Sequence, residues 1–344
     1  MTPKTLASCL RRAPAAGFAY GYTPVTGSNA GQEGWNATSG RVGPTTKAAK
    51  AQDRVFNTGM SFGVLRLRRG ETLTATTDQE TLWVLMSGRC RVALAGQTAT
   101  VARASLFDEG PYAVHAGTEE QITFKAETVT EWAVTRTPNP RRIGARLYRN
   151  DEFTTEDRGA GLAQGACRRL VRTIFDYSTR PDSNLVVGEV VNFPGRWSTY
   201  PPHHHPQPEI YHYRFTEPQG YGHCEIGDDV VKVRGGDTAL IPGGLDHSQV
   251  SAPGYGMYYL WVIRHLPGTP YRGFEFTPEH KWLLDPLQQG WVPQVPSADQ
   301  RARRSRSTSS SSASPSSPNP SSASPSPASP SSASSSSSRP PSKP

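Results

Sequence analysis

The chain has no apolar run of the roughly 18 residues that a membrane-spanning helix needs, which excludes a helical membrane protein. Cysteine is scarce, with four in 344 residues. Cys9, Cys90, Cys167 and Cys224 never fall at C-x-x-C spacing, which excludes a zinc ribbon or a paired redox motif. Long amphipathic helical periodicity is also missing, and only residues 278–285 read as briefly helical. Residues 1–17 are basic but lack an apolar core of signal-peptide length. Reduced thiols and no export signal predict a cytoplasmic protein with no membrane partner. Acidic charge is in deficit, 29 Asp and Glu against 37 Lys and Arg, for a net charge of +8. Six of the bases (Arg301, Arg303, Arg304, Arg306, Arg339 and Lys343) and none of the acids lie in residues 301–344. Residues 1–300 are therefore within two charges of neutral, which excludes a basic nucleic-acid surface in the body of the protein.

From about Ser297 the sequence is almost entirely Ser, Pro, Ala and Arg. Such a segment cannot bury enough apolar surface to offset its ordering entropy, so disorder is predicted for residues 297–344. Before it, short runs rich in Val, Leu, Thr and aromatic residues alternate with Gly or Pro turns. Strands are predicted at 62–67, 81–86, 89–94, 121–124 and 131–134, with a hairpin turn at Ser87-Gly88. A proline-rich joint at Thr137-Pro138-Asn139-Pro140 marks a boundary. A second series follows at 168–175, 184–193, 209–215, 222–226, 230–233, 238–241 and 257–263. The pattern predicts an all-β protein of two successive sandwiches or barrels, residues 1–140 and 141–296.

Two stretches of the second series carry chemistry. In Tyr200-Pro201-Pro202-His203-His204-His205-Pro206-Gln207-Pro208-Glu209, His203 and His205 are two apart. In extended chain they share a side, and His204 faces away. Glu209 follows a Pro-Gln-Pro bend that brings it back toward them. Imidazole with carboxylate suits Zn, Mn, Fe or Ni without distinguishing among them. Further on, Gly236 starts a stretch that ends Pro242-Gly243-Gly244-Leu245-Asp246-His247, where glycine lets the backbone reverse beside the histidine.

These stretches resemble the paired signatures of the cupin superfamily. His203, His205 and Glu209 match H-x-H, three residues, E; Gly236, Pro242, Gly244 and His247 match G, five residues, P-x-G, two residues, H. The resemblance implies jelly-roll barrels in tandem, with one divalent metal held by His203, His205, Glu209 and His247, and pairing through sheet edges into a homodimer. The first series looks like a degenerate copy. Asp78-Gln79-Glu80 stands where H-x-H would fall, and Glu120 replaces the second-signature histidine, so residues 1–140 are expected to be metal-free. His115 is expected at a turn or on the surface.

The wider pattern resembles the 5-deoxy-glucuronate isomerase family of myo-inositol breakdown. It includes Leu85-Met86-Ser87-Gly88, Phe107-Asp108-Glu109-Gly110-Pro111, Gly195-Arg196-Trp197, Pro218-Gln219-Gly220-Tyr221-Gly222 and Pro278-Glu279-His280-Lys281-Trp282. The resemblance implies conversion of 5-deoxy-glucuronate to 5-dehydro-2-deoxy-gluconate. Strand alternation turns Tyr211 and Tyr213 inward with Glu209, making them candidates to donate to a substrate oxygen, while Ile210, His212 and Arg214 point away. A uronate carboxylate calls for a cation, and Arg196, Arg214 and Lys232 are the candidates. His223, His265 and His280 are weaker site candidates. An isomerase of a related deoxy-uronate, an Fe(II) cupin dioxygenase and a non-catalytic sugar-binding cupin use the same residues.

Overall fold

The computed structural model describes residues 9–26, 34–36, 41–43, 58–288 and 290–294. The segment expected to be disordered, 297–344, lies outside them. The chain divides into two units, Met1–Trp291 and Val292–Pro344, and the fold below belongs to the first.

The fold is β throughout, with antiparallel pairing. Nine strands form the first sheet. Its main path runs Arg146–Tyr148, Ala113–Ala116, Glu80–Leu94, Thr130–Thr137, Ser61–Leu67, Gly21–Thr26. The long strand Glu80–Leu94 belongs to two arms. Residues 80–87 pair with Thr130–Thr137, and residues 88–94 pair with Gln97–Arg103, while Gln121–Ala126 joins the second arm. No chain reversal occurs at Ser87-Gly88, contrary to the sequence expectation. Gly88 has φ +95°, and a Cβ there would sit 2.2 Å from the Val129 carbonyl oxygen. Glycine bends the strand at this crossing instead of ending it. The reversal comes at Ala95-Gly96, both at positive φ as a two-residue hairpin with matching twist requires, between Leu94 and Gln97.

The second half has two sheets. A seven-stranded sheet runs Leu10–Arg11, Thr238–Ile241, Glu209–Phe215, Met257–Arg264, Leu185–Asn192, Arg169–Phe175, Glu156–Arg158. A five-stranded sheet runs Asp229–Arg234, Tyr221–Ile226, His247–Ser251, Trp197–His204, Glu275–Phe276. The predicted strands of this half all appear, and residues 278–285 hold a short 3-10 helix, Pro278–Leu284. The edge strand Leu10–Arg11, paired with Ala239 and Thr238, is contributed from the other end of the chain.

Period-two alternation divides the apolar side chains among three cores. Trp83, Leu85, Phe124, Trp132 and Val134 fill the interior of the first half. Tyr211, Tyr213, Met257, Tyr259 and Ile226 pack between the two sheets of the second. The opposite faces of the same strands meet in a third core. There Phe62, Leu82, Val84 and Ala133 of the first half pack with Ile210, Tyr258, Leu260 and Val262 of the second. Each central strand is thus buried on both faces.

Two polar clusters cross this junction. Glu189 is fully buried and accepts from Arg103 Nη2 (2.6 Å), Arg172 Nη1 (2.9 Å) and Tyr258 Oη (3.0 Å). Both guanidiniums also donate to the Glu109 carbonyl oxygen. Glu80, also fully buried, accepts from His115 Nε2 (2.9 Å), Asn139 Nδ2 (2.7 Å), Ser183 Oγ (2.5 Å) and the Asn184 amide (2.9 Å). His115 is therefore an interior strand residue and not the turn or surface group expected. Pairing of Ala113–Ala116 along Glu80–Leu94 sets it opposite Leu82, facing the junction.

Burial alone would raise the Glu80 carboxyl; the hydrogen bonds from His115, Ser183 and Asn184 outweigh it and hold the group below its ordinary range. Its stabilisation is present above the unfolded value of about 4.3 and is lost as pH falls through the lower folded value. Glu80→Ala should lower unfolding free energy by roughly 3–5 kcal/mol, since it strands a buried polar shell. In urea titrations between about pH 5 and pH 3, wild-type stability should fall more steeply than the variant's.

Candidate metal centre

The strands Trp197–His204 and His247–Ser251 pair so that His203 lies directly opposite His247. His205 follows the first strand by one residue, and Glu209 opens the strand Glu209–Phe215 between Ile241 and Ile263. Two turns hold these pieces together. The Gly244 amide donates to the His205 carbonyl oxygen at 2.8 Å. A Cβ on Gly243 would sit 1.8 Å from the Pro206 carbonyl oxygen, so the Pro-Gly-Gly turn nests against the His205–Glu209 bend only with glycine there. The glycines of the second signature thereby dock one ligand-bearing turn on the other.

Donor atoms of His203, His205 and His247 all lie within 4.8 Å of one another. Glu209 Oε2 is 3.3 Å from His205 Nε2 and 3.4 Å from His247 Nε2. All four side chains are buried. His205 Nδ1 donates to the Gln207 carbonyl oxygen (2.9 Å) and His247 Nδ1 to the Leu245 carbonyl oxygen (3.0 Å). Those bonds leave the Nε2 lone pairs of both rings turned toward the carboxylate. His247 Nε2 and His203 Nδ1 are buried without a hydrogen-bond partner. Burial, with His247 beside it, pushes His203 down to about 2, so the ring is neutral. Burial would raise Glu209, but hydrogen bonds and charge from His205 and His247, when their Nε2 atoms carry protons, outweigh it and hold the carboxyl at about 2; an ion bound among them would take the place of those protons. A carboxylate and neutral imidazoles are the forms that ligate a metal. Lone pairs converging in a buried space call for a cation, and this donor set fits one. His204 faces away, with Nδ1 2.7 Å from Asp246 Oδ1.

The site opens into a cavity of about 290 Å³, near the lower end of the usual range for small-ligand pockets of roughly 300–1,000 Å³. Tyr211 lines it, with its ring 6.0 Å from that of His247 and 4.7 Å from that of Tyr259. Tyr213 shares the inward parity but lies deeper in the core. Its hydroxyl donates to Gln249 Oε1 at 2.7 Å, and Gln249 Nε2 donates to Cys224 Sγ at 3.3 Å. The structure thus separates the two tyrosines, leaving Tyr211 at the cavity.

None of the three cations expected to hold a substrate carboxylate lines this cavity. Arg214 has the outward parity of its strand and pairs with Glu131 at 2.6 Å. Arg196 is exposed in the turn before Trp197–His204. Lys232 lies 3.8 Å over the Tyr221 ring in the edge hairpin of the five-stranded sheet. Three other arginines do line it: Arg158, Arg169 and Arg272. The weaker histidine candidates are elsewhere or serve as supports. His223 is exposed, His280 stacks near Tyr200, and His265 Nδ1 accepts from the Tyr271 amide at 2.8 Å.

That last bond anchors a segment the strand reading missed, residues 271–276, which passes over the metal site. The Tyr271 ring is 5.0 Å from His205 and the Phe274 ring 4.2 Å from His203. The only signal for it was the aromatic spacing of Tyr271, Phe274 and Phe276 beyond the last long strand.

A sequence model of the KduI/IolB family matches residues 37–283. The 5-deoxy-glucuronate isomerase of Geobacillus kaustophilus (strain HTA426) is 32% identical over 247 residues, covering 66% of this chain and 86% of that protein. The 5-deoxy-glucuronate isomerase of Geobacillus thermodenitrificans (strain NG80-2) is 31% identical over the same shares. Among solved structures, an IolB-like protein from Salmonella typhimurium LT2 has 26% identity and a TM-score of 0.60, covering 66% of this chain and 90% of that one. The matched span runs from the first sheet through all four converging donor residues to the segment that covers them, and the chain belongs to the KduI/IolB family.

Proposed function

We propose that this protein is a metal-dependent sugar-acid isomerase that converts 5-deoxy-glucuronate to 5-dehydro-2-deoxy-gluconate in myo-inositol catabolism. The observation that carries the reading is the buried convergence of His203, His205, His247 and Glu209, three of which (His203, His205 and Glu209) line a ligand-sized cavity. The names of the curated relatives support the substrate. The four residues hold one divalent ion, for which Zn, Mn, Fe and Ni all suit the donor set. When bound, such an ion supplies Lewis acidity at a carbonyl and its neighbouring hydroxyl.

The protein's own groups do the rest. Burial, with Glu209 beside it, keeps the Tyr211 hydroxyl far above its ordinary value, so Tyr211 serves as a hydrogen-bond donor to a substrate oxygen rather than as a base. Tyr271, Phe274 and Phe276 exclude water over His203 and His205. In this reading the strands from Glu156–Arg158 to Glu275–Phe276, with Leu10–Arg11 at the edge, form the working cupin barrel. The strands from Gly21–Thr26 to Arg146–Tyr148 form a metal-free partner barrel, a role that its Trp- and Phe-filled interior supports. The reading is of a cytoplasmic enzyme that pairs as a homodimer; four buried free thiols agree with a reducing compartment.

Metal analysis of the purified protein should give about one divalent ion per chain, with His203→Ala and His247→Ala reducing it to background. The loaded protein should isomerise 5-deoxy-glucuronate without oxygen uptake. Oxygen consumption coupled to turnover would instead assign a dioxygenase, and metal binding without turnover a binding module. Tyr211→Phe should lower kcat by roughly 100- to 1,000-fold, the scale of a lost donor to a developing oxyanion. Tyr213→Phe should leave kcat near wild type and lower stability by about 1–3 kcal/mol, since it strands Gln249.

A further inference from the structure

The strand Arg169–Phe175 carries two arginines with opposite surroundings. Arg172 points into the junction and is saturated by Glu189 and three backbone carbonyls. Arg169 has the other parity and lines the metal cavity with Val171 and Thr173. Its one hydrogen bond among the described residues runs from Nη1 to the Cys167 carbonyl oxygen at 2.9 Å. Among the described residues it forms no ion pair, and Tyr259, Cys167, Arg158 and Tyr211 are its strongest electrostatic neighbours; Glu209 and Asp176 line the same cavity without pairing with it. A partly buried guanidinium without a counter-ion bears a desolvation cost that an incoming anion relieves, and its planar fork matches a carboxylate.

The other charged groups of the cavity are already engaged. Arg158 pairs with Glu156 at 2.7 Å, and Arg272 lies over the Tyr177 ring at 4.6 Å. Asp176 accepts from Ser178 and Thr179 within its own turn. From Arg169 the wall continues through Tyr259, which shares a hydrogen bond with Ser198, to Tyr211 and on to His203, His205 and Glu209, with His247 behind Tyr211. A cation at one end and a lone-pair cluster built for a metal at the other define a site with two charged poles.

We propose that Arg169 is the residue that selects an acid substrate: it binds the sugar carboxylate, the chain of the sugar lies across Tyr259 and Tyr211, and the reacting carbons reach the His203, His205, His247 and Glu209 end. This rests on the sugar-acid isomerase reading for the identity of the substrate, but the preference for a carboxylate is a property of the cavity and is measured separately.

The test uses the full-length, metal-loaded protein with Arg169→Gln and Arg169→Lys. Both should retain the metal. For 5-deoxy-glucuronate, Arg169→Gln should raise KM by roughly 10- to 100-fold, the range for a lost charge-assisted hydrogen-bond pair, with a smaller change in kcat. Arg169→Lys should fall between Gln and wild type. Calorimetric titration with glucuronate and with glucose supplies a readout that does not need turnover. Wild type should bind the acid more tightly than the neutral sugar, and Arg169→Gln should erase the difference. If wild type shows that acid preference but does not turn over 5-deoxy-glucuronate, the isomerase reading fails and the role of Arg169 stands. If Arg169→Gln, or Arg169→Lys should the first not fold, keeps both the KM and the acid preference, the role of Arg169 is overturned.

Discussion

The strict alternation of side chains along strands buried on both faces is the constraint on which the rest of the molecule depends. Along Glu209–Phe215, Glu209, Tyr211 and Tyr213 enter the half that holds the His203, His205 and His247 cluster, while Ile210, His212 and Arg214 enter the junction with the other half. His212 shows how complete the second environment is. It is fully buried, with Nδ1 on Thr238 Oγ1 (2.8 Å) and Nε2 accepting from Arg214 Nη1 (2.6 Å), and its ring lies 4.9 Å from that of Phe62. A slip of one residue would exchange these sets and bury Arg214 in the apolar core where Tyr213 packs. Both neighbouring strands, which are themselves buried on both faces, hold the register against such a slip.

The same logic explains how a half without an evident site contributes to one that has it. The strand Met257–Arg264 gives Tyr259 to the cavity and Tyr258 to Glu189, so the order of the cavity wall is tied to the junction behind it. Glu80 and Glu189 are acidic side chains buried in that junction, and each is surrounded by donors drawn from both halves. Such clusters add little net stability over an apolar replacement, but they penalise any mispacking that leaves one member unpaired. Their effect is to specify one arrangement of the two halves.

At the centre itself, rigidity comes from backbone partners. The Nδ1 positions of His205 and His247 are committed to carbonyls within two residues of each ring, which sets the tautomer and aims Nε2. The turn bearing Gly243 and Gly244 then presses one ligand loop onto the other. The donor set is preorganised by local chain geometry, and the aromatic segment at residues 271–276 closes it, ending in the edge strand Glu275–Phe276 of the five-stranded sheet.

The four residues of the candidate metal site were legible from the chain alone because each depends on spacing within a few residues: two histidines on one face, a bend, a glycine turn. The inward parity of Tyr211 and the outward parity of Arg214 were legible for the same reason, since alternation is a local property of a strand. Tertiary structure decided what depends on distant partners. Gly88 and Gly96 look equally suited to a turn, and only the Val129 carbonyl oxygen beside Gly88 shows that the strand continues there. His115 looks like a loop residue until Glu80, 35 positions earlier, accepts its hydrogen bond. Tyr213 is equivalent to Tyr211 in parity, and Gln249 alone separates them. Arg169 has nothing in its neighbourhood along the chain to distinguish it from Arg172; the difference is that Arg172 faces the Glu189 carboxylate on the neighbouring strand and Arg169 faces a cavity.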